Sequence, residues 1–298
     1  VHWSPARVGN PVLLRFGRET LSTWSAGAHL RSLLALRGMG AVSVRPARSG
    51  LEHELFHVVL SDGQVRLGKV PRPDYRDPHW PDRRAHASLL AEEEAVGRVS
   101  LKSGRWLKVP EPYLFLEGDP PGALMGIVPG VAPEVPLFRH GLDPRTLRAI
   151  CAEMGRMMAE VHRVRRPEGD TAIPDLPGAD LGDARLLHMD FHLGNVLGHF
   201  QLGQGWKLEG IVDWTCVHWG PREADLAELG ASIFATNPDL LDDFLLGYRQ
   251  RSGLNLDRSR VLDVLVTELD RRMREDPPVD TTIRNAYTAR LEEWSREI

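Results

Sequence analysis

Residues 186–200, LLHMDFHLGNVLGHF, place a histidine at 188, an aspartate at 190 and an asparagine at 195. A second aspartate, Asp213, stands in the alternating segment LEGIVDW, residues 208–214. Apolar residues bracket each one: Leu186 and Leu187, Val196 and Leu197, Ile211 and Val212. A carboxylate among such neighbours is costly to bury unless it is paired or holds a metal. A carboxylate and an amide oxygen brought together from adjacent strands are hard ligands of the kind Mg²⁺ takes, alongside waters and phosphate oxygens. Asn195 and Asp213 are therefore the candidate metal ligands. Asp190 would lie beside that ion without needing to ligate it, where a base for a hydroxyl nucleophile belongs. HMDFH also has the spacing of a zinc or iron site built from His188, Asp190 and His192. That alternative leaves Asp213 and a singular lysine without a role.

The lysine is Lys69. Only four of the 37 basic residues are lysine, at 69, 102, 108 and 207, so arginine serves wherever this chain merely needs positive charge. Lys69 falls inside a strand pattern, QVRLGKV (64–70), and the two cationic side chains are not interchangeable in shape or hydration.

HMDFHLGN resembles the HxDxxxxN catalytic loop of the aminoglycoside phosphotransferases. IVDW, followed by GPREADLAEL, is similar to their metal-binding aspartate and the helix after it. Choline kinases and macrolide phosphotransferases belong to the same wider group of small-molecule kinases with the protein-kinase-like fold. The likeness runs from about Gly27 onward and is loose outside 186–230. It implies ATP or GTP as phosphate donor, Mg²⁺ as cofactor and Asp190 as the catalytic residue, with Asn195 and Asp213 on the metal. It implies that Lys69 contacts the α- and β-phosphates and is braced by a helix glutamate. Of Glu92, Glu93 and Glu94, Glu92 fits best, because Ala95, Val96 and Val99 follow at helical spacing. SGLEHELF (49–56), with Ser49 and Gly50, stands where the phosphate-covering loop belongs. ALMGIV (123–128), with Met125 and Ile127, stands where the adenine-binding connector does. His188 would brace the loop and Asp225 would tie down its backbone. Two departures from protein kinases bear on the acceptor. Met189 replaces the arginine of HRD, and only eleven residues separate Asp213 from Asp225, so a protein substrate is not expected.

These groups need a scaffold. AHLRSLLALRG predicts a helix around Gly27 to Arg37 that stops at Gly38. ELFHVVL (54–60) and QVRLGKV (64–70) alternate on either side of Ser61-Asp62-Gly63, which is hairpin chemistry. Prolines at 71, 73, 78 and 81 make 71–84 a loop. A helix is expected from Ala85 to about Val99, then two strands in YLFLEG and ALMGIV. Asp143-Pro144 caps the next helix, whose stripe of Ile150, Cys151, Met154, Met158 and Val161 reads as core. Two strands over 195–200 and 208–214 flank a turn. From about Ala224 the pattern is helical, with breaks at Asn237-Pro238, Ser252-Gly253 and Pro277-Pro278. Strands first and helices afterwards define an α+β, two-lobed architecture. The expected division is a nucleotide-binding lobe over 1–127 and a catalytic, acceptor-binding helical lobe over 128–298. A helical insert around 131–185 and the final helices would form the acceptor pocket.

Composition bounds what the chain can be. At 298 residues, 42% hydrophobic and 26% charged, it is an ordinary globular protein. No apolar run reaches the 18 residues of a membrane span. Two cysteines cannot build a disulfide scaffold, which suits the cytoplasm. A net charge of -4 argues against a nucleic-acid binder. Residues 171–243 hold twelve carboxylates and three basic residues. That excess suits a cationic acceptor such as an aminoglycoside, the substrate class behind antibiotic resistance, with Asp183, Glu223 and Glu228 as candidate contacts. Two rivals remain: a kinase of a metabolite alcohol (choline, homoserine, sugar or macrolide type), and a nucleotide-binding pseudokinase serving as a partner module.

Overall fold

The computed structural model describes residues 25–47, 53–72, 85–104, 106–135, 137, 141–202, 205–275, 277–278 and 280–298. Ser49, Gly50 and most of the expected proline loop lie outside the described residues.

Helix α1 spans Ala26–Leu36. The Ser25 hydroxyl accepts a hydrogen bond from the Ala28 N–H at its start, and Gly38 follows its end at φ 71°, the left-handed turn that glycine adopts without strain. Strands β1 (Ala41–Pro46), β2 (His53–Leu60), β3 (Val65–Pro71), β4 (Tyr113–Leu116) and β5 (Gly122–Met125) form one antiparallel sheet in the order β1-β2-β3-β5-β4. The β2–β3 hairpin closes as its turn residues require, with Gly63 at φ 84° and the Asp62 side chain accepting from the Gln64 N–H. Strand β1 was not expected, because AVSVRP is short and sits at the sheet edge with little burial to pattern it. Leu30, Leu33 and Leu34 of α1 are buried against Phe56, Val58, Val70 and Leu124, making a small core of their own.

Helix α2 (Ala85–Ser103) lies in sequence between β3 and β4 and packs on both sides, with Leu89 buried against Phe115 and Ala123 of the sheet. Ala91, Ala95, Val96 and Val99 belong to the large core of the helical region. Three polar contacts fasten α2 to the same side. Ser88 donates to the Thr215 carbonyl at 2.9 Å, the Trp214 N–H donates to Glu92, and Arg98 pairs with Asp170 at 3.0 Å.

Helix α3 (Pro144–Val161) starts as its sequence specifies, with Asp143 capping the Thr146 N–H and proline in the first turn. Its methionine stripe is buried in the core. It packs against α4 (Asp239–Ser252) through two glycines: a side chain at Gly155 would run into the Phe244 carbonyl, and one at Gly247 into that of Ala152. The expected helical insert over 131–185 is met in part by α3 and corrected in the rest, since residues 162–184 form turns and isolated bridges. Prolines at 167, 174 and 177 and glycines at 169, 178 and 182 punctuate that stretch, which prevents a continuous helix. Strand β6 (Arg185–Leu187) pairs with β9 (His218–Gly220), and β7 (Val196–Gln201) with β8 (Gly205–Ile211). A distorted helical segment runs over Arg222–Leu226, Ala227–Leu229 and Gly230–Phe234. After α4 come α5 (Arg258–Glu275) and α6 (Thr281–Trp294).

Candidate active site

The β7–β8 hairpin brings the first pair together. Val196 lies opposite Ile211, and the Val212 N–H donates to the Asn195 carbonyl at 2.9 Å, so Asn195 and Asp213 emerge from the same end. Asn195 donates both amide hydrogens to Asp190, to its carbonyl at 2.9 Å and to Oδ2 at 2.8 Å. Both of these bonds use Nδ2, so the asparagine Oδ1 is the atom that could serve as an oxygen ligand. Asp213 receives Lys69 Nζ at 2.9 Å and the Thr215 hydroxyl at 3.0 Å, both on Oδ1. Its Oδ2 remains, on a side chain 44% exposed.

Lys69 is buried on β3 and gathers the cluster. Its Nζ lies 3.2 and 3.1 Å from the two carboxylate oxygens of Glu92. Burial opposes its charge, but Asp213 and Glu92 outweigh burial and hold its pKa above the ordinary lysine value. Burial would likewise raise Asp213, and the charges of Lys69 and His53 with the Lys69 and Thr215 hydrogen bonds carry it well below the usual carboxylate range. Glu92 accepts further bonds from the Tyr113 hydroxyl at 2.7 Å and the Trp214 N–H at 3.1 Å. Its neighbours turn away, Glu93 to the Phe115 N–H and Glu94 to Arg98. Two residues here escaped the sequence reading. Tyr113 is one. The other is His53, which burial and the adjacent Lys69 push down to about 3 against the pull of Asp213. His53 falls inside SGLEHELF and Tyr113 opens YLFLEG, but nothing in either segment marks these residues out, and the sheet brings both in.

The loop after β6 is held from below. The Asp225 carboxylate accepts the N–H groups of His188 at 2.9 Å and Met189 at 2.6 Å. His162, at the C-terminal cap of α3, bonds the same carboxylate through Nε2 at 2.9 Å, and its Nδ1 meets the Tyr248 hydroxyl at 3.0 Å. His162 and Tyr248 also went unread, being single polar residues in apolar helical patterns. His188 spends both ring nitrogens on the backbone: Nδ1 accepts from the Asp190 N–H and Nε2 donates to the Val212 carbonyl. It therefore cannot join a zinc or iron site, and no group of three metal-ligating side chains occurs among the described residues. Met189 at φ 64° and Asp213 at φ 63° are the non-glycine residues with positive φ among those described. Strain of this kind persists where surrounding contacts over-determine it, as at active sites.

His192 lies beside Asp190, its Nε2 3.6 Å from Oδ1. Burial opposes a charge on this ring, yet Asp190, Glu228 and Glu134 offset it and raise its pKa above the usual imidazole value. Met125 is buried and pairs with Leu67 and Tyr113, whereas Ile127, two residues on, is exposed. The three expected acceptor contacts fare differently. Asp183, at the end of β6 remote from the loop, is held by Arg185 and Arg222. Glu223 is buried and accepts from the Asp257 N–H ahead of α5. Glu228 pairs with Arg272 and is the one of the three whose charge reaches His192.

A two-lobed protein with a lysine–glutamate pair, a clamped HxDxxxxN loop and an aspartate after the following hairpin has the protein-kinase-like fold. Residues 171–262 match the model of the family described as phosphotransferase enzyme family, APH. The resemblance read from HMDFHLGN and IVDW thus holds over the segment that carries the loop. Solved structures extend the likeness in fold across both lobes. The apoenzyme of macrolide 2'-phosphotransferase MphH from Brachybacterium faecium is 15% identical, with 89% of this chain and 97% of that one aligned at a TM-score of 0.53. ADP-bound aminoglycoside phosphotransferase APH(2'')-Ib is 12% identical over 89% and 97%, at 0.55. The GDP and kanamycin complex of APH(2'')-IIia is 14% identical over 90% and 99%, at 0.51. No curated protein matches the sequence.

Proposed function

We propose that this chain is a small-molecule kinase that moves the γ-phosphate of ATP or GTP to an acceptor hydroxyl. The nucleotide would be held mainly by residues 1–127 and the acceptor by 128–298. The observation that carries the proposal is the convergence of Lys69, Glu92 and Asp213 with the clamped loop of Asp190 and Asn195. A binding module would need only part of that set, which disfavours the pseudokinase.

Asp190 is the group that accepts the proton of the acceptor hydroxyl, and Asn195 fixes which of its oxygens is committed. Lys69, kept charged by two carboxylates, sits against the nucleotide phosphates. Met125 and Ile127 edge the base pocket, where the exposed Ile127 offers an apolar surface. Asn195 Oδ1 and Asp213 Oδ2, one neutral oxygen and one anionic, fit a hard divalent cation. Mg²⁺ bound there supplies charge neutralisation of the phosphates. Such a site works by positioning and electrostatics and carries little covalent chemistry of its own.

A second reading concerns the acceptor. With Asp183, Glu223 and Glu228 each already bonded within the protein, the case for a polycationic aminoglycoside rests on Glu134 and on the charge that Glu228 still presents towards His192. A macrolide or metabolite alcohol needs no such charge. No helix among the described residues is long and apolar enough to cross a membrane, and both cysteines are free and buried, in keeping with a cytoplasmic setting for the reaction. Nucleoside-diphosphate release with Mg²⁺ and ATP or GTP, screened over kanamycin, a macrolide, choline, homoserine and simple sugars, tests the proposal. Acceptor-dependent release supports it, and failure to bind either nucleotide overturns it.

A further inference from the structure

His192 has been given no role in the reaction so far, yet it is the residue whose ring faces the catalytic carboxylate. Its neighbours Phe191 and Leu193 are buried anchors, and the ring between them turns towards Asp190 and stays partly open to the cleft. The Gly194 N–H donates to His192 Nδ1 at 3.0 Å. The proton of the ring is thereby assigned to Nε2, and it stays there whether or not the ring takes a second one. Glycine at 194 leaves room in this turn, since a Cβ there would come against the Glu134 carboxylate and the His192 ring and would push those side chains aside.

Asp190 is asymmetric. Oδ2 is taken by Asn195 at 2.8 Å, whereas Oδ1 faces His192 Nε2 across 3.6 Å. That gap is too long for a direct hydrogen bond. It suits an oxygen placed about 2.8 Å from each group.

We propose that Asp190 Oδ1 and the His192 Nε2–H form a two-point seat for the acceptor hydroxyl, making His192 a second catalytic contact to the reacting oxygen. The hydroxyl donates its proton to Oδ1 and accepts from Nε2, so its remaining lone pair is aimed at the phosphorus. As the new O–P bond forms, the hydroxyl proton passes to Asp190 and the bond from the γ-phosphorus to the leaving diphosphate oxygen breaks. His192 gives up nothing and only orients. A seat with one acceptor and one donor selects an atom that is both donor and acceptor. It favours a hydroxyl, or water, over an ammonium, which can only donate. The inference rests on the phosphotransferase reading.

Two substitutions separate this role from a structural one. Asparagine at 192 places an amide oxygen near the position of Nδ1 and keeps the Gly194 bond, but it has no group at Nε2. Glutamine at 192 reaches the Nε2 position with an N–H and forgoes the short contact. Phosphoryl transfer from Mg·ATP and Mg·GTP is measured to water, as phosphate release, and to kanamycin, with nucleotide affinity measured alongside. The expected result is a fall in turnover of about 10- to 100-fold in His192→Asn, with nucleotide affinity unchanged, and retention of most turnover in His192→Gln. The reverse order, equal losses in both, or no loss in either overturns the seat. Asp190→Asn distinguishes the two levels. If it keeps wild-type turnover, or the wild type transfers phosphate neither to water nor to any acceptor of the screen above, the phosphotransferase reading fails and the seat with it. If Asp190→Asn is inactive while His192→Asn is fully active, only the seat is wrong.

Discussion

Glu92, Glu93 and Glu94 follow one another on α2, and each carboxylate points to a different partner: Lys69, the Phe115 N–H and Arg98. Helical geometry turns successive residues by about 100°, so only one of three can face a given lysine. The apolar residues at 95, 96 and 99 favoured Glu92 from the sequence but left the choice among the three glutamates open. What the sequence could not show is how many partners Glu92 has, since Tyr113 and the Trp214 N–H arrive from remote strands and loops. Glu92→Gln should therefore raise the nucleotide KM or lower kcat by at least about tenfold, while Glu94→Gln stays within about twofold of wild type. Steady-state kinetics on the two variants checks this. Tyr113→Phe removes a hydrogen bond to a buried carboxylate and should destabilise the protein by about 1–3 kcal/mol, read by urea unfolding.

Periodicity made most elements legible, namely α1, the β2–β3 hairpin, α2, α3 and the β7–β8 hairpin. The misses share a cause. β1, β6 and β9 are short, and 162–184 has no regular pattern, so their conformations are set by what they pack against. α2 shows the same limit differently, because its helical period was plain but its attachment to the helical core was not. The α3–α4 crossing depends on Gly155 and Gly247, which a sequence alone marks only as weak points in helices. Gly155→Ala forces a side chain into the Phe244 carbonyl and should cost about 1–3 kcal/mol, observed as a lower denaturation midpoint. Because α4 carries Tyr248, and Tyr248 holds His162 beneath Asp225, this crossing also supports the loop. Tyr248→Phe should lower kcat several-fold with nucleotide affinity unchanged. Loss of nucleotide affinity in that variant would place the effect elsewhere.

At the scale of the whole molecule, two cores meet at one ion-pair cluster. The sheet and α1 form the smaller core, and α2 joins the larger through Ala91, Ala95, Val96 and Val99 while Leu89 packs on Phe115 and Ala123 of the sheet. Lys69 therefore reaches from one to the other when it bonds Glu92 and Asp213. The motif spacing 188–190–195–213–225 made the candidate catalytic half of this arrangement legible, because it lies within one stretch of chain. On the acceptor side, a count of carboxylates does not reveal which are already bonded within the protein, as Asp183 and Glu228 are to arginine and Glu223 is to the Asp257 N–H. The central claim is transfer of a nucleotide phosphoryl group through Asp190. Its most direct test is diphosphate release from Mg·ATP and Mg·GTP, with and without acceptor, in the wild type and in Asp190→Asn. Acceptor-stimulated release that falls by at least about 100-fold in the variant, with nucleotide binding retained, is the predicted result. Equal release by both proteins would contradict it.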